Sequence, residues 1–415
     1  MKLIISHPTG NNNSRAVVYK LAQEGMLYEF HTSIASFPNS LLGRLQKIPF
    51  LAEFQRRNFE YKIKHHTKVW PLVEVGRMLS IKVGFKKLIK HEYGIFSVDA
   101  VYKSIDRHVA STLKKAAKHG VTGVYAYEDG ALETFKQAKL LGLKCIYDLP
   151  IAYWEAGKKL MNEEAIRLPG WADTLGGGIH NSAAKYERKK QELELADLVI
   201  VPSHFVLESL PEWAKSKKIV MAPFGTPAID NEKQQVDKGE QLSRQLRVLF
   251  VGSMSQRKGL GDLFTAVKML NNPNIELVVM GEPQMPIDFY RNELPDFTHE
   301  QGRPNKEVLA LMRTCDVFCL PSIVEGRALV MQEAMSQGLP LIITPNTGGE
   351  DLIIEGETGF LVPIRSPQII AEKLKWFLDN YNELTEMSKK VKLQAAKYTW
   401  ANYGKIVIES INELT

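Results

Sequence analysis

Two glutamates, Glu325 and Glu333, stand in the stretch VFCLPSIVEGRALVMQEAMSQGLPLIIT (317–344), and their settings give each a different chemistry. The stretch reads as a strand over 317–322, a loop holding Glu325 and Gly326, and a helix ending at Gly338, a residue suited to the position past a helix end. On that helix Leu329, Val330, Glu333, Ala334 and Gln337 share a mostly apolar, inward side, so the Glu333 carboxylate needs a partner or a ligand. Glu325 precedes the helix N-terminus, where free N–H groups and the helix dipole attract phosphate. The rise from the first helical turn to Glu333 is about 9 Å at ~1.5 Å per residue, roughly pyrophosphate to ribose. One carboxylate is thus placed for sugar hydroxyls at the loop and the other for a ribose diol. The competing reading, a solvated loop carboxylate and a capping or ion-paired one, is the weaker. A second element, FVGSMSQRKGL (250–260), runs from strand through a Gly turn to a basic pair at a helix start. Lys258 there can hold a leaving diphosphate. The spacing is not that of a P-loop.

In this frame the first stretch resembles the E-x7-E signature of the family-four retaining glycosyltransferases of the GT-B fold. The following NTGGEDLIIEGETGFLVP (346–363) is similar to the same family's pattern, and the likeness extends over 245–400. The resemblance implies that Glu325 contacts the donor hexose and Glu333 the nucleotide ribose, with Gly326, Arg327, Ala328 and Leu329 completing the donor loop. It matches Lys258 to the family's phosphate-binding Lys. Ser253 stands where the family often has Arg, a loss that the neighbouring Arg257 is expected to offset. SHPTGNNNSR (6–15) resembles the family's N-terminal glycine loop, reduced here to Gly10 and an Asn run. His7 reads as a structural neighbour of that loop. In KCIYDLPIAYW (144–154), Asp148 holds the place near the reacting carbon where relatives often carry His, and Glu128 and Asp129 in YEDGAL are the next candidates. THEQGRPNKEVLALM (298–312) matches the loop near the base, where Gly302 and Arg303 are expected to read it. Relatives often read E-G-F-G after the first Glu. Here Glu325-Gly326-Arg327-Ala328 requires a slightly different turn, because Ala328 does not readily take positive φ, and Arg327 is expected either to add a cation near the donor or to alter hexose preference.

These residues must be held at the ends of strands. Short runs, most of them β-branched and ending in Gly, Pro or Ser, recur at 2–6, 27–32, 123–127, 144–148, 198–203 and 218–222, then at 247–252, 275–281, 317–322, 339–344 and 359–363. Helical periodicity fills the intervals, which predicts an α/β chain with parallel sheets covered by helices on both faces. The polar run 226–245 reads as a linker. The expected organisation is two doubly wound, Rossmann-like domains facing across a cleft: 1–225 on the acceptor side, with a basic helical insertion at about 41–92, and 246–395 binding the nucleotide-sugar. Residues 396–415 form a helix expected to cross back onto the first domain.

The chain has 415 residues, 44% apolar and 24% charged, with a formal charge of +6. No apolar run approaches the ~20 residues of a membrane span, and MKLIISHPTG has no signal-peptide pattern. Three cysteines, Cys145, Cys315 and Cys319, make no disulfide framework. A cytoplasmic chain is expected, peripheral at most on the inner face of the membrane. Residues 41–92 hold twelve Lys or Arg against four Glu, interleaved with apolar residues, which suits an anionic membrane surface or a lipid-phosphate acceptor as well as ordinary solvated helix faces. No nucleic-acid module accompanies the charge. The expected chemistry is transfer of a hexosyl group from a UDP- or GDP-sugar to a glycan or lipid-linked acceptor, without cofactor or metal. Alternatives are a non-catalytic nucleotide-sugar-binding subunit and a sugar epimerase of the same fold. A nicotinamide dehydrogenase is disfavoured by the lack of G-x-G-x-x-G after the first strand.

Overall fold

The computed structural model describes residues 1–38, 57–227 and 245–414. Seven strands form the first sheet: β1 (Leu3–Ser6), β2 (Leu27–Thr32), β3 (Thr67–Val69), β4 (Gly123–Tyr127), β5 (Lys144–Asp148), β6 (Leu198–Val201) and β7 (Lys218–Met221). Their order is β3-β2-β1-β4-β5-β6-β7, with every pair parallel. The second sheet comprises β8 (Leu246–Val251), β9 (Ile275–Met280), β10 (Thr298–Glu300), β11 (Val317–Leu320), β12 (Leu341–Ile343) and β13 (Gly359–Leu361). It runs β10-β9-β8-β11-β12-β13, again all parallel. Strands such as β6 and β11 are buried along their whole length, because helices cover both faces, and their sequences are accordingly continuous apolar runs.

Both sheets reverse their strand order once, between β1 and β4 and between β8 and β11. Ligands of open α/β sheets sit in the crevice beyond the strand ends at such a switch point. The loop with Gly10 follows β1. The loop with Lys258 follows β8, and Glu325 follows β11. The topology thus gathers residues 67 positions apart in sequence.

Two strands, β3 and β10, are absent from the sequence reading. Each is a three-residue edge strand, too short to show an alternating pattern. The expected basic insertion is part sheet: its described portion carries β3 and a helix over Leu72–Val83. Residues 41–56 of that stretch, and 228–244 of the expected linker, lie outside the described residues. No described helix is long and apolar enough to cross a membrane.

The two halves are tied together in three ways. Helix Trp400–Asn412 lies on helix Asn12–Gln23, and its Tyr403, Val407 and Ile411 share a core cluster with Val17 and Leu21. Helix Trp154–Arg167 leads into Trp171, which is buried in the second core against Phe264 and Tyr290. From that helix Arg167 makes paired bonds of 2.9 and 2.7 Å to Asp262, while buried Glu164 accepts from Gln256 at 2.9 Å. At the third contact Gly326 comes so close to the first domain that an added Cβ would lie 1.8 Å from the Pro150 carbonyl oxygen. Only glycine permits that approach.

Candidate active site

The loop after β8 makes a single turn of 3-10 helix over Gln256–Lys258 and ends on Gly259 at φ 76°, before helix Leu260–Leu270. That turn aims two cations at the loop after β11. Lys258 Nζ lies 2.5 Å and Arg257 2.6 Å from the same Glu325 oxygen. Arg257 also donates to the Val324 carbonyl at 3.0 Å, and its own carbonyl accepts from Ile323 N at 2.9 Å, so the loops interlock. Burial pushes the Glu325 carboxyl up, but Lys258 and Arg257 outweigh it and hold the group below its ordinary range. Burial pushes Lys258 down, the Glu325 charge opposes this, and Arg257 adds to it. Two cations against one carboxylate leave a positive excess at the mouth of the switch point.

Helix Leu329–Ser336 starts two residues later than the sequence reading placed its first turn. Glu333 is therefore only about 6 Å above the helix start at ~1.5 Å per residue, one turn up instead of nearly two. No side chain caps this N-terminus, and Ala328 enters it at φ −68°, as its Cβ requires. Glu333 is half-buried and accepts from Asn305 Nδ2 at 2.8 Å. Burial raises its carboxyl above the ordinary range, with the Asn305 bond opposing the shift. The bond also brings the 301–304 loop beside Glu333. Within that loop Arg303 pairs with Glu300, and Gly302 faces open space.

Across the cleft, Gly10 adopts φ +60°, and a Cβ there would collide with the Phe59 ring at 2.4 Å. The loop is held from inside by His7, whose Nδ1 accepts from Gly10 N at 2.9 Å and Thr9 N at 3.1 Å. Burial, then Arg57 and Arg15, press the His7 pKa down to about 3, so the ring stays neutral and able to accept. Gly10 and Leu329 line one cavity of about 630 Å³ with Thr9, Asn11, Arg15 and Arg77.

Two expectations are corrected. Arg327 does not reach toward a donor. It is 3% exposed and turns inward, pairing with both Asp351 oxygens at 2.6 and 3.0 Å and donating to Gln332 and the Gly348 carbonyl. Asp148 does not face the cleft cavity either. It is 1% exposed, and one of its oxygens accepts from Tyr125 at 2.6 Å and Tyr403 at 3.2 Å, beneath the C-terminal helix. Glu128 and Asp129 are engaged in a buried cluster with Lys189 and Arg188. Ser253 lies beside the Lys258 turn, its hydroxyl 3.2 Å from that of Ser255.

The Asp148 setting carries a pH prediction. Burial raises its pKa from 3.8 to about 7, only partly offset by the tyrosine bonds. The folded chain therefore binds more protons than the unfolded one between those values, and stability falls as pH rises through them. Asp148→Asn is expected to remove that fall, seen as a flatter dependence of Tm on pH between 5 and 8, with activity within about threefold of the parent. A hundredfold loss of activity in a stable Asp148→Asn protein would restore a catalytic place for this residue.

Several site-lining residues carry no signal in the sequence. Arg15, Arg57 and the helix that bears both Glu74 and Arg77 reach the cavity from separate segments, and Ser203, whose hydroxyl donates to the Gly326 carbonyl at 2.6 Å, reads only as part of a strand end.

Residues 231–394 match the family described as "Glycosyl transferases group 1". The matched stretch contains β8 to β13 and both loops of the candidate site. Curated proteins similar to the chain include the D-inositol 3-phosphate glycosyltransferase of Corynebacterium urealyticum, 26% identical over 54% of this chain and 59% of that protein. A capsular polysaccharide biosynthesis glycosyltransferase of Staphylococcus aureus is 28% identical over 40% of this chain and 48% of its own length. The chain spans about half the length of the curated relatives it matches. Among solved structures, sucrose-phosphate synthase from Thermosynechococcus elongatus superposes with a TM-score of 0.65 at 17% identity, covering 100% of this chain and 99% of that one. The Anabaena HepE protein in complex with UDP gives a TM-score of 0.61 at 14% identity over 100% of both chains. These likenesses establish the fold: the matched residues lie in the second half of a GT-B arrangement, in which the Lys258 and Glu325 loops meet.

Proposed function

We propose that the protein is a retaining hexosyltransferase that moves a sugar from a UDP- or GDP-sugar to a glycan or lipid-linked acceptor. The observation that carries this reading is Glu325 held between Arg257 and Lys258 at the foot of an uncapped helix, with Glu333 one turn above. In the proposed arrangement the donor diphosphate takes the two cations and the helix N–H groups. Glu325 turns to the hexose hydroxyls, and Glu333 accepts from the ribose diol. As the anomeric C–O bond breaks, the electron pair goes to the diphosphate oxygen, where Lys258 opposes the growing charge. The acceptor hydroxyl then adds from the face the diphosphate leaves, and its proton passes to that oxygen. Solved relatives of this fold include one in complex with UDP-glucose, which supports a nucleotide-sugar donor.

Because Lys258 supplies the charge, the reaction is proposed to need no metal. Among the described residues no group of three acidic, His or Cys side chains is arranged to hold one. A panel of nucleotide-sugars tested for slow release of free nucleotide, with and without excess EDTA, checks both points. Release from one donor class, undiminished by EDTA, is expected. Binding without release from any donor would favour the non-catalytic reading, and loss restored by Mn²⁺ would end the metal-free one.

Peripheral membrane contact is part of the same proposal. Leu79, Ile81, Val83 and Phe85 are exposed beside exposed Lys82, Lys86, Lys87 and Lys90, a pairing suited to an anionic bilayer surface. Binding to anionic vesicles should weaken with salt, and should weaken further when the four lysines become Gln. Indifference of the parent protein to anionic vesicles at low salt would remove this contact.

A further inference from the structure

The turn that carries Lys258 is held from behind by the first half of the chain. Gln256, two residues before Lys258, is fully buried, and both polar atoms of its amide are engaged. Nε2 donates to Glu164 Oε2 at 2.9 Å and to Asp262 Oδ2 at 2.8 Å, and Oε1 accepts from Gly261 N at 3.0 Å. The amide can sit only this way round, since a flipped one would aim its oxygen at two carboxylates. The same two carboxylate oxygens are bridged a second time by Arg167 Nη2, at 2.7 Å to each. Glu164 and Arg167 belong to helix Trp154–Arg167, and Asp262 to the first turn of the helix after Lys258, so the four groups close a ring between the halves.

The ring is anchored on both sides. Glu164, itself fully buried, also accepts from Arg365, which follows β13. Arg365 stands at φ 60°, a conformation that a non-glycine residue keeps only where its surroundings hold it, and it pairs with Glu163 at 2.9 Å. Thr174 Oγ1, beyond the same helix, accepts from Gln256 N at 2.9 Å. The Gln256 carbonyl in turn accepts from Gly259 N at 2.9 Å and closes the turn around Lys258. Nearer the start of the segment, Ala152 N donates to the Glu325 carbonyl at 3.2 Å. Residues 152–174 thus brace both loops of the Lys258–Glu325 pair. An apolar contact would join the halves without fixing the direction of a turn, whereas a fully satisfied buried polar network fixes it.

We infer that Gln256 is a positioning residue for Lys258, held by Glu164, so that the Lys258 turn is set in place by the opposite half of the chain. What Lys258 does to a donor rests on the transfer reading above; that Gln256 places it does not.

Two variants of the full chain, on different elements, test this. Gln256→Met keeps the side-chain volume and removes all three amide bonds. Glu164→Gln leaves one acceptor oxygen for donors that now share two. Each is expected to lower kcat about tenfold or more with donor KM within about threefold, because the Lys258 charge remains and a misplacement near 1 Å costs up to ~100-fold in rate. In a Lys258→Gln background each should cost less than about twofold, since the group being placed is gone. A contact that serves stability alone would cost the same in both backgrounds. Lys258, its side chain 13% exposed, should also react with acetic anhydride about fivefold faster in both variants as its turn loosens, read by mass spectrometry against exposed Lys389. Lys189, enclosed in the first half beside Glu128, should keep its rate, which excludes general unfolding. Equal losses of kcat in both backgrounds, or unchanged acetylation of Lys258 in the stable variants, overturns the assignment. Release of nucleotide from no sugar donor by the parent protein would sink the transfer reading, and acetylation then decides the positioning role by itself.

Discussion

Lys258→Gln should lower kcat for transfer by roughly two to three orders of magnitude, the usual cost of losing one group aimed at charge that develops in the transition state. The size follows from where the ammonium sits. It is held 2.5 Å from Glu325 on a turn closed by Gly259, so it is fixed before the reaction and needs no reorganisation. Glutamine keeps the length and some of the hydrogen bonding but none of the charge. Donor affinity should fall less than kcat, because the bound donor already carries its diphosphate charge spread over several contacts while the extra negative charge appears only as the bond breaks. Lys258→Arg should recover only part of the loss, since a planar fork does not replace a compact point charge in a side chain this enclosed. Rates with saturating donor, together with melting temperatures to exclude unfolding, provide the check. A fall of less than tenfold in a stable Lys258→Gln protein would mean that the leaving diphosphate is stabilised elsewhere.

The second large effect separates the two carboxylates. Glu333 is proposed to hold the ribose, which free nucleotide and donor share, and Glu325 the hexose, which only the donor has. Losing a charged acceptor from such a contact costs ~1.5–3 kcal/mol, or roughly 10- to 150-fold in affinity. Glu333→Ala should therefore weaken free UDP or GDP and the intact donor alike. Glu325→Ala should weaken the donor and leave free nucleotide within about twofold, and turnover should fall as the hexose loses its position. A complication lies in the contact network: Glu325→Ala also releases Arg257 and Lys258 from their shared partner. If those cations then grip the diphosphate harder, free nucleotide binds somewhat tighter, a change opposite in sign to a lost ribose contact. Acid provides an independent test of Glu333. Its carboxyl sits above the ordinary range through burial, so nucleotide affinity should begin to drop at a higher pH than an exposed Glu would dictate, and Glu333→Gln should lack that drop. Equal loss of free nucleotide in both alanine variants would show that ribose and hexose have been assigned to the wrong glutamates.

What the sequence could specify was local. The β-branched runs, most of them closed by Gly, Pro or Ser, mark eleven of the thirteen described strands, because a strand buried on both faces must be apolar throughout. The pairing of a loop glutamate with one on the next helix, and of a Gly turn with Lys258, is likewise contained in contiguous stretches, so the residues proposed for the donor side could be picked out before any fold. Glycine positions were readable for the same reason at Gly10, where positive φ and the Phe59 ring both exclude a side chain.

What depends on direction in space was not readable. Arg327 follows Glu325 by two residues, yet its guanidinium turns away to Asp351, because two charge-assisted bonds inside the domain compensate burial better than a solvent-facing loop would. Asp148 ends a strand at the expected place, but Tyr403, 255 residues later, arrives on the C-terminal helix to share its carboxylate. Arg57 and Arg77 come from separate segments and are united by the single buried carboxylate of Glu74. Chain order fixes which residues begin a loop or face a helix side; only the packing of one element on another decides which charges meet, since the desolvation that makes them pair exists only once the chain is folded.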